Sequence, residues 1–252
     1  MGRTKRKAVH TPPTSPKKTH RKKNRKRVHP LNRVHPLKRH IDEGSNTRPD
    51  DDVRRNAVFA GTSYQTTANE RRDFFTQHMG DNTGWTLDET LSDTWRAVWV
   101  NEDSKSVMTS FRGTKEFTDL PADVHLAMGM PEHSYRFRQT AMLYGDVLDK
   151  YDGYNQQLSG HSLGGALNKF VERLYQGRID EVHNFNPGSG VGDVVKGIHS
   201  AITGTVNENV HDYFIHGDPL SVLGGLDSYS RNHYYGTAEG ASNPHSLSNF
   251  YL

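Results

Sequence analysis

The sequence contains no cysteine, and its first 40 residues include no aspartate or glutamate. Without cysteine there is no disulfide framework and no thiolate metal site, which fits a reducing compartment better than secretion. Long apolar runs are also missing: a typical one, Ala97-Val98-Trp99-Val100, is far too short to span a bilayer. The basic N-terminus is not followed by an apolar segment, so we expect no secretory signal and an intracellular protein.

The charges are divided unevenly along the chain. Residues 1–40 hold 15 of the 32 lysines and arginines, which leaves 17 basic residues against all 29 acidic ones in the remainder. The remainder therefore has a net charge of −12, and the overall value of +3 describes neither part. The pattern predicts a basic arm attached to an acidic domain.

Residues 1–52 are rich in proline and poor in large apolar side chains, and they contain a tandem repeat, RVHPLN at 27–32 followed by RVHPLK at 33–38. Because like charges repel and proline interrupts helices, we expect a disordered arm over residues 1–52. The remaining length suits one folded domain over residues 53–252.

Hydrophobic periodicity in the second part predicts helices alternating with strands. The expected helices are 64–78, 134–150 and 162–176; the expected strands are a hairpin of 95–101 and 106–112, then 155–159, 182–186 and 210–216. This alternation predicts an α/β fold with a largely parallel central sheet flanked by helices.

The segment Gly160-His161-Ser162-Leu163-Gly164 lies where a predicted strand changes into a predicted helix. One interpretation is a glycine turn in which Ser162 caps the helix. The other is a nucleophile elbow, in which the glycines remove side chains that would clash and the serine hydroxyl projects beyond the strand ends. The second interpretation requires a base for the serine and an acid that orients the base.

Downstream residues can supply both partners. Asp218 follows a predicted strand between Gly217 and Pro219, and His245 lies in a C-terminal loop, so the order Ser162, Asp218, His245 is that of α/β-hydrolases. The sequence leaves rival acids and bases open: Asp193, Asp212 and Asp227 for the acid, and His216 and His233 for the base.

The segment Phe111-Arg112-Gly113-Thr114 follows the second strand of the hairpin. It is either a simple strand-ending turn or a segment whose glycine lets the backbone approach a ligand closely. In the second case Thr114 can offer its N–H and its hydroxyl to an oxyanion. The N–H of Leu163, directly after the serine, would be the second donor.

Four features together carry a resemblance to a known family: the FRGT segment, the GHSLGGAL segment from Gly160 to Leu167, Asp218-Pro219 and the late His245. With these features, residues 55 to 252 resemble the class 3 lipases of the α/β-hydrolase superfamily. The resemblance implies a catalytic triad of Ser162, Asp218 and His245, with Thr114 and Leu163 as the oxyanion hole. It implies hydrolysis of carboxylic esters of lipids as a triacylglycerol lipase or a phospholipase A1, with no metal and no organic cofactor.

Two features depart from that family. Secreted fungal members usually carry disulfides, and the C-terminal part of this chain is short, with 27 positions from Asp218 to His245. A lid helix would occupy residues 119–131, whose apolar side chains could equally pack as an ordinary short helix. The oligomeric state is left open.

The basic arm suggests partners of its own. The run RKKNRKR at 21–27 is typical of nuclear import or nucleic-acid binding, and SPKK at 15–18 resembles a histone-tail motif. Residues 1–40 could instead contact an anionic membrane surface or merely keep the protein soluble. We therefore expect a nuclear or virion-associated esterase; the alternative is a nucleic-acid-associated structural protein of a virion or of chromatin with a vestigial hydrolase domain.

Overall fold

The computed structural model describes residues 49–113, 135–188, 206–220, 229–238 and 243–252. Most of the arm (residues 1–48), Thr114, the expected lid segment (residues 119–131), Asp193 and Asp227 lie outside the described residues. None of the helices in the described ranges is long and apolar enough to cross a membrane.

The described residues form α-helices, β-strands and one short 3₁₀ helix. The α-helices are α1 (Asp51–Thr62), α2 (Ala68–Met79), α3 (Tyr135–Lys150) and α4 (Leu163–Leu174), and the 3₁₀ helix is Leu247–Phe250. The strands are β1 (Trp85–Leu87), β2 (Arg96–Asn101), β3 (Ser106–Phe111), β4 (Asn155–His161), β5 (Glu181–Phe185), β6 (Val210–Ile215) and β7 (Arg231–Tyr235).

The strands form one seven-stranded sheet in sequential order from β1 to β7. Strands β1 to β3 pair antiparallel, and β3 to β7 pair parallel. The predicted α/β-hydrolase-like fold with a largely parallel sheet is therefore confirmed. The carboxyl ends of the five parallel strands meet at one edge, where open α/β sheets place their ligands.

Helices cover both faces of the sheet, and the alternation of side chains along β2 shows how. Val98 and Val100 pack in a cluster with residues of α3 and α4, whereas Ala97 and Trp99 pack with residues of α1 and α2. Because both faces are covered, five of the six β2 residues and all of β3 are buried. The apolar run from Ala97 to Val100 in β2 is typical of a strand that is covered on both faces.

The N-terminal helices differ from the prediction. Helix α1 begins at Asp51, and Asp50 caps it by accepting the Val53 N–H at 2.8 Å, so ordered structure precedes the boundary drawn at Val53. The predicted helix 64–78 instead starts at Ala68, because Thr67 and Glu70 form a capping box. Tyr64 thus lies in the connection before α2 rather than within a helix.

A buried ion pair joins α4 to β6. Lys169 Nζ lies 2.6 Å from Asp212 Oδ2, and both side chains are at most 1% exposed. Asp212 also accepts hydrogen bonds from Asn184 Nδ2 at 2.8 Å and from Ser230 Oγ at 2.6 Å. This set of bonds ties the helix that follows Ser162 to the sheet.

Replacing Lys169 by methionine should leave the Asp212 carboxylate buried without its cation. We expect Lys169→Met to lower the free energy of unfolding by about 3–5 kcal/mol, measured by urea denaturation. Arg178→Met is the control, since Arg178 is half-exposed and its ion pair with Asp152 is long, at 4.0 Å. This variant should change the free energy of unfolding by less than about 1 kcal/mol. Equal effects of the two variants would contradict the role given to the buried pair.

Candidate active site

Ser162 connects β4 to α4 with a backbone that non-glycine residues rarely adopt. Its φ is 58° and its ψ is −121°, and its side chain makes no capping hydrogen bond to the helix. A backbone N–H bond to the Phe185 carbonyl of β5, at 3.0 Å, holds this conformation. The interpretation as a simple helix cap is therefore wrong, and the geometry is that of a strained strand–turn–helix elbow.

The glycines around Ser162 are required by close backbone approaches. A Cβ on Gly160 would lie 2.6 Å from the Gly164 backbone, and a Cβ on Gly164 would overlap the Phe111 carbonyl oxygen. Any side chain at either position would push the start of α4 away from the ends of β3 and β4. The pattern G-x-S-x-G thus serves the packing of this turn.

Asp218 and His245 form a buried pair. His245 Nδ1 lies 2.8 Å from Asp218 Oδ2, with the two side chains 8% and 0% exposed. Asp218 follows β6 by a turn in which Gly217 has a φ of 88°, and its other oxygen accepts the Leu220 N–H at 2.9 Å. A buried carboxylate in contact with Nδ1 holds the imidazole ring in one orientation.

The loop that carries His245 is bonded to the elbow. His161, directly before Ser162, has its Nε2 2.8 Å from the His245 carbonyl oxygen, and the two imidazole rings lie 4.8 Å apart. Ser162 Oγ is buried and has no hydrogen-bond partner among the described residues. The fold thus brings the elbow and the Asp218–His245 pair together.

The two expected oxyanion donors are placed unequally. Leu163 is the first residue of α4, where a backbone N–H has no partner within the helix and the helix dipole favours negative charge. Thr114 lies outside the described residues. Its neighbour Gly113 is close to the start of α4, since a Cβ on Gly164 would be 3.3 Å from the Gly113 nitrogen.

The rival acids and bases occupy other positions. Asp212 is held within the protein by Lys169. His216 is exposed in the turn after β6 with its ring stacked on Tyr234, and His233 lies in β7 with Nε2 3.3 Å from His211 Nδ1. The contact with Asp218 is made by His245, through its Nδ1 atom.

Sequence reasoning missed two side chains at this site. Tyr64 Oη lies 2.9 Å from His161 Nδ1, which connects the end of α1 with the elbow. Burial, followed by the charge of His245, lowers the pKa of His161 to about 3, so its imidazole is neutral at pH 7. The position of His161 beside Ser162 was a signal in the sequence, whereas nothing in the sequence marked Tyr64.

The sequence also did not predict that Arg112, which follows β3, and Arg136 of α3 lie close together. The Arg136 guanidinium lies over the Trp95 ring, 4.5 Å from its centroid, and donates to the Arg112 carbonyl oxygen. The Arg112 guanidinium lies 5.7 Å from the same centroid. In the described part of the chain, neither arginine forms an ion pair with a carboxylate. Two positive charges therefore lie next to the segment that leads to Thr114.

Comparison with known proteins gives a family and several solved structures. A search of curated proteins found no match. The structures include Lip2 lipase from Yarrowia lipolytica, 15% identical over 73% of this chain and 80% of that chain, with a TM-score of 0.45. A lipase from Rhizopus microsporus var. chinensis is 17% identical over 74% and 77%, with a TM-score of 0.45. A mutant form of MDLA from Penicillium cyclopium is 17% identical over 79% and 83%, with a TM-score of 0.46.

The family match covers most of the domain. Residues 77–245 match the phospholipase-like family described as a Tle-like phospholipase domain, which is well over half of the chain. Together with the mostly parallel sheet, this confirms the expected class 3 lipase-like α/β-hydrolase and gives a hydrolase domain of the lipase and phospholipase type. The chain belongs to the phospholipase-like family, with a Tle-like phospholipase domain.

Proposed function

We propose that the protein hydrolyses carboxylic esters of lipids with Ser162 as nucleophile, His245 as general base and Asp218 as the acid that orients His245. The observation that carries the proposal is the buried Asp218–His245 contact of 2.8 Å, on a loop bonded to the residue before Ser162. The strained backbone of Ser162 supports it independently.

In the first step, His245 Nε2 accepts the Ser162 hydroxyl proton while Oγ attacks the ester carbonyl carbon. The negative charge that develops on the carbonyl oxygen is stabilised by the Leu163 N–H and by the N–H and hydroxyl of Thr114. The imidazolium then protonates the leaving alcohol, and an acyl-enzyme forms on Ser162. Water, deprotonated by His245, releases the fatty acid and regenerates the serine.

Burial of the acid strengthens this arrangement. The Asp218 side chain is fully shielded from solvent, so its attraction for the imidazolium is screened less than at a surface. The Asp218–Leu220 bond keeps the carboxylate oriented, and little reorganisation is needed as charge develops.

For the substrate, we propose an acyl ester of a glycerophospholipid rather than a triacylglycerol. The family description supports a phospholipid. The guanidinium groups of Arg112 and Arg136 lie beside the exposed ring of Trp95, close to the proposed oxyanion segment, and could donate hydrogen bonds to the phosphate of a head group. A triacylglycerol has no anionic group for them to bind.

For the basic arm, we propose a tether to nucleic acid that leaves the chemistry to the folded domain. The support is its charge: 15 cationic side chains and no acidic one in residues 1–40. Cationic side chains that neutralise phosphates release counterions, and binding then weakens steeply with salt. An anionic membrane surface is the competing partner.

The triad can be tested by substitution. Ser162→Ala and His245→Ala should each lower turnover of p-nitrophenyl butyrate by about 10⁴-fold or more, because triad members act as a unit. The double variant should be no worse than either single variant, with circular dichroism confirming that all remain folded. Retention of most activity by Ser162→Ala, with loss of it in His233→Ala, would show that the triad is assigned wrongly.

The substrate preference can be tested as a ratio. We expect kcat/KM on phosphatidylglycerol to exceed that on a triacylglycerol with the same acyl chains, both in mixed micelles. Arg112→Gln or Arg136→Gln should reduce this ratio by about 10-fold, since each removes a charged hydrogen-bond donor. Arg138→Gln, at an exposed position of α3, is the matched control. A ratio that is the same in all four proteins would rule out the head-group role.

The arm can be tested with a fragment of residues 49–252, which keeps the Asp50 cap of α1. It should hydrolyse a soluble ester at the full-length rate but bind duplex DNA far more weakly. If roughly 5–8 arm charges contact phosphates, the full-length protein should give a log–log salt slope of about −4 to −7. Equal DNA binding by both proteins would exclude a nucleic-acid tether, and a selective loss of activity on anionic vesicles would favour the membrane.

A further inference from the structure

A chain of two hydrogen bonds runs from Tyr64 through His161 to the backbone of His245. Tyr64 Oη is 2.9 Å from His161 Nδ1, and His161 Nε2 is 2.8 Å from the His245 carbonyl oxygen. The proposed mechanism uses neither Tyr64 nor the side chain of His161. Both nonetheless lie directly against the groups that it does use.

The direction of each bond follows from elementary chemistry. A carbonyl oxygen can only accept, so the proton of His161 is on Nε2. Burial keeps the imidazole neutral, with its pKa lowered to about 3, so Nδ1 has a lone pair and the Tyr64 hydroxyl must donate to it. Tyr64 Oη also approaches the His161 carbonyl at 3.5 Å, but its single proton goes to the nearer acceptor.

The same hydroxyl reaches the end of β3. A Cβ on Gly113 would overlap Tyr64 Oη, so the hydroxyl fills the space that a side chain would need there. Burial raises the pKa of Tyr64 above its usual value, although the Gly113 backbone N–H opposes the change, so the group remains a protonated donor at pH 7. One hydroxyl thus touches both the residue before Thr114 and the residue before Ser162.

We propose that Tyr64 and His161 are positioning residues that set the spacing between the elbow, the end of β3 and the loop of His245. The proposal rests on the function proposed above. Asp218 holds the side chain of His245 and His161 holds its backbone carbonyl, so residue 245 is fixed at two points. Displacement of a reacting group by about 1 Å can slow a reaction by roughly 10²-fold, so loss of one point should be visible in kcat.

The test uses the full chain with p-nitrophenyl butyrate and separates kcat from KM. Tyr64→Phe removes only the hydroxyl and should lower kcat by about 10-fold, with KM changed by less than about twofold. His161→Leu removes both bonds and should lower kcat by about 10²-fold. His161→Gln can present an N–H donor near the position of Nε2, so it should recover at least about 10-fold of that loss.

Tyr154→Phe is the matched control. Its hydroxyl also makes a side-chain bond, to Glu102 at 2.6 Å, but it precedes β4 at the opposite end of that strand from Ser162. The control should keep kcat within about twofold of the unmodified protein. Thermal unfolding of each variant, followed by circular dichroism, ensures that kcat is compared between folded proteins.

Labelling of Ser162 by a fluorophosphonate tests the proposed function separately. If the unmodified protein neither reacts with the reagent nor hydrolyses the ester, the proposed function fails. If it does both, and Tyr64→Phe and His161→Leu keep its kcat, the positioning role is overturned while the function stands. Failure of His161→Gln to exceed His161→Leu would likewise overturn the role of the donor. If His161→Leu does not fold, Tyr64→Phe and His161→Gln decide the question.

Discussion

The close approach of α4 to the ends of β3 and β4 is the constraint on which the site depends. It is possible only because Gly160 and Gly164 lack side chains, and it forces Ser162 into its positive φ. Neighbouring residues stabilise this strained conformation. The Phe185 carbonyl accepts the Ser162 N–H, and the Lys169–Asp212 pair joins α4 to β6. The backbone conformation of Ser162, which is unfavourable by itself, is therefore maintained by the surrounding structure.

Two aspartates of one strand region show how position decides chemistry. Asp212 lies within β6, where it is enclosed and paired with Lys169. Asp218 lies beyond the end of the strand, in the turn that reaches the carboxyl edge of the sheet, and its partner is His245. The same type of side chain thus joins a helix to the sheet at position 212 and orients an imidazole at position 218.

Much of the central sheet could be predicted because short strand-like segments alternate along the chain with segments of helical periodicity. The hairpin of β2 and β3 and the strands β4, β5 and β6 lie within two residues of their expected ends. Strand β7 was missed because its sequence, RNHYY, is polar and only half-buried, and β1 was missed because it has only three residues. Helix α1 was missed because its acidic first turn read as the end of the arm.

The sequence by itself determined the elbow, the α/β fold and the order of Ser162, Asp218 and His245, because these depend on local glycine placement and on hydrophobic periodicity. Only the tertiary structure decided which acid meets which base, since Asp218 and His245 are 27 positions apart and their contact depends on how β6 and the C-terminal loop pack. Tyr64 was invisible for the same reason: a hydroxyl 97 residues from His161 acquires its role only when α1 folds against the sheet.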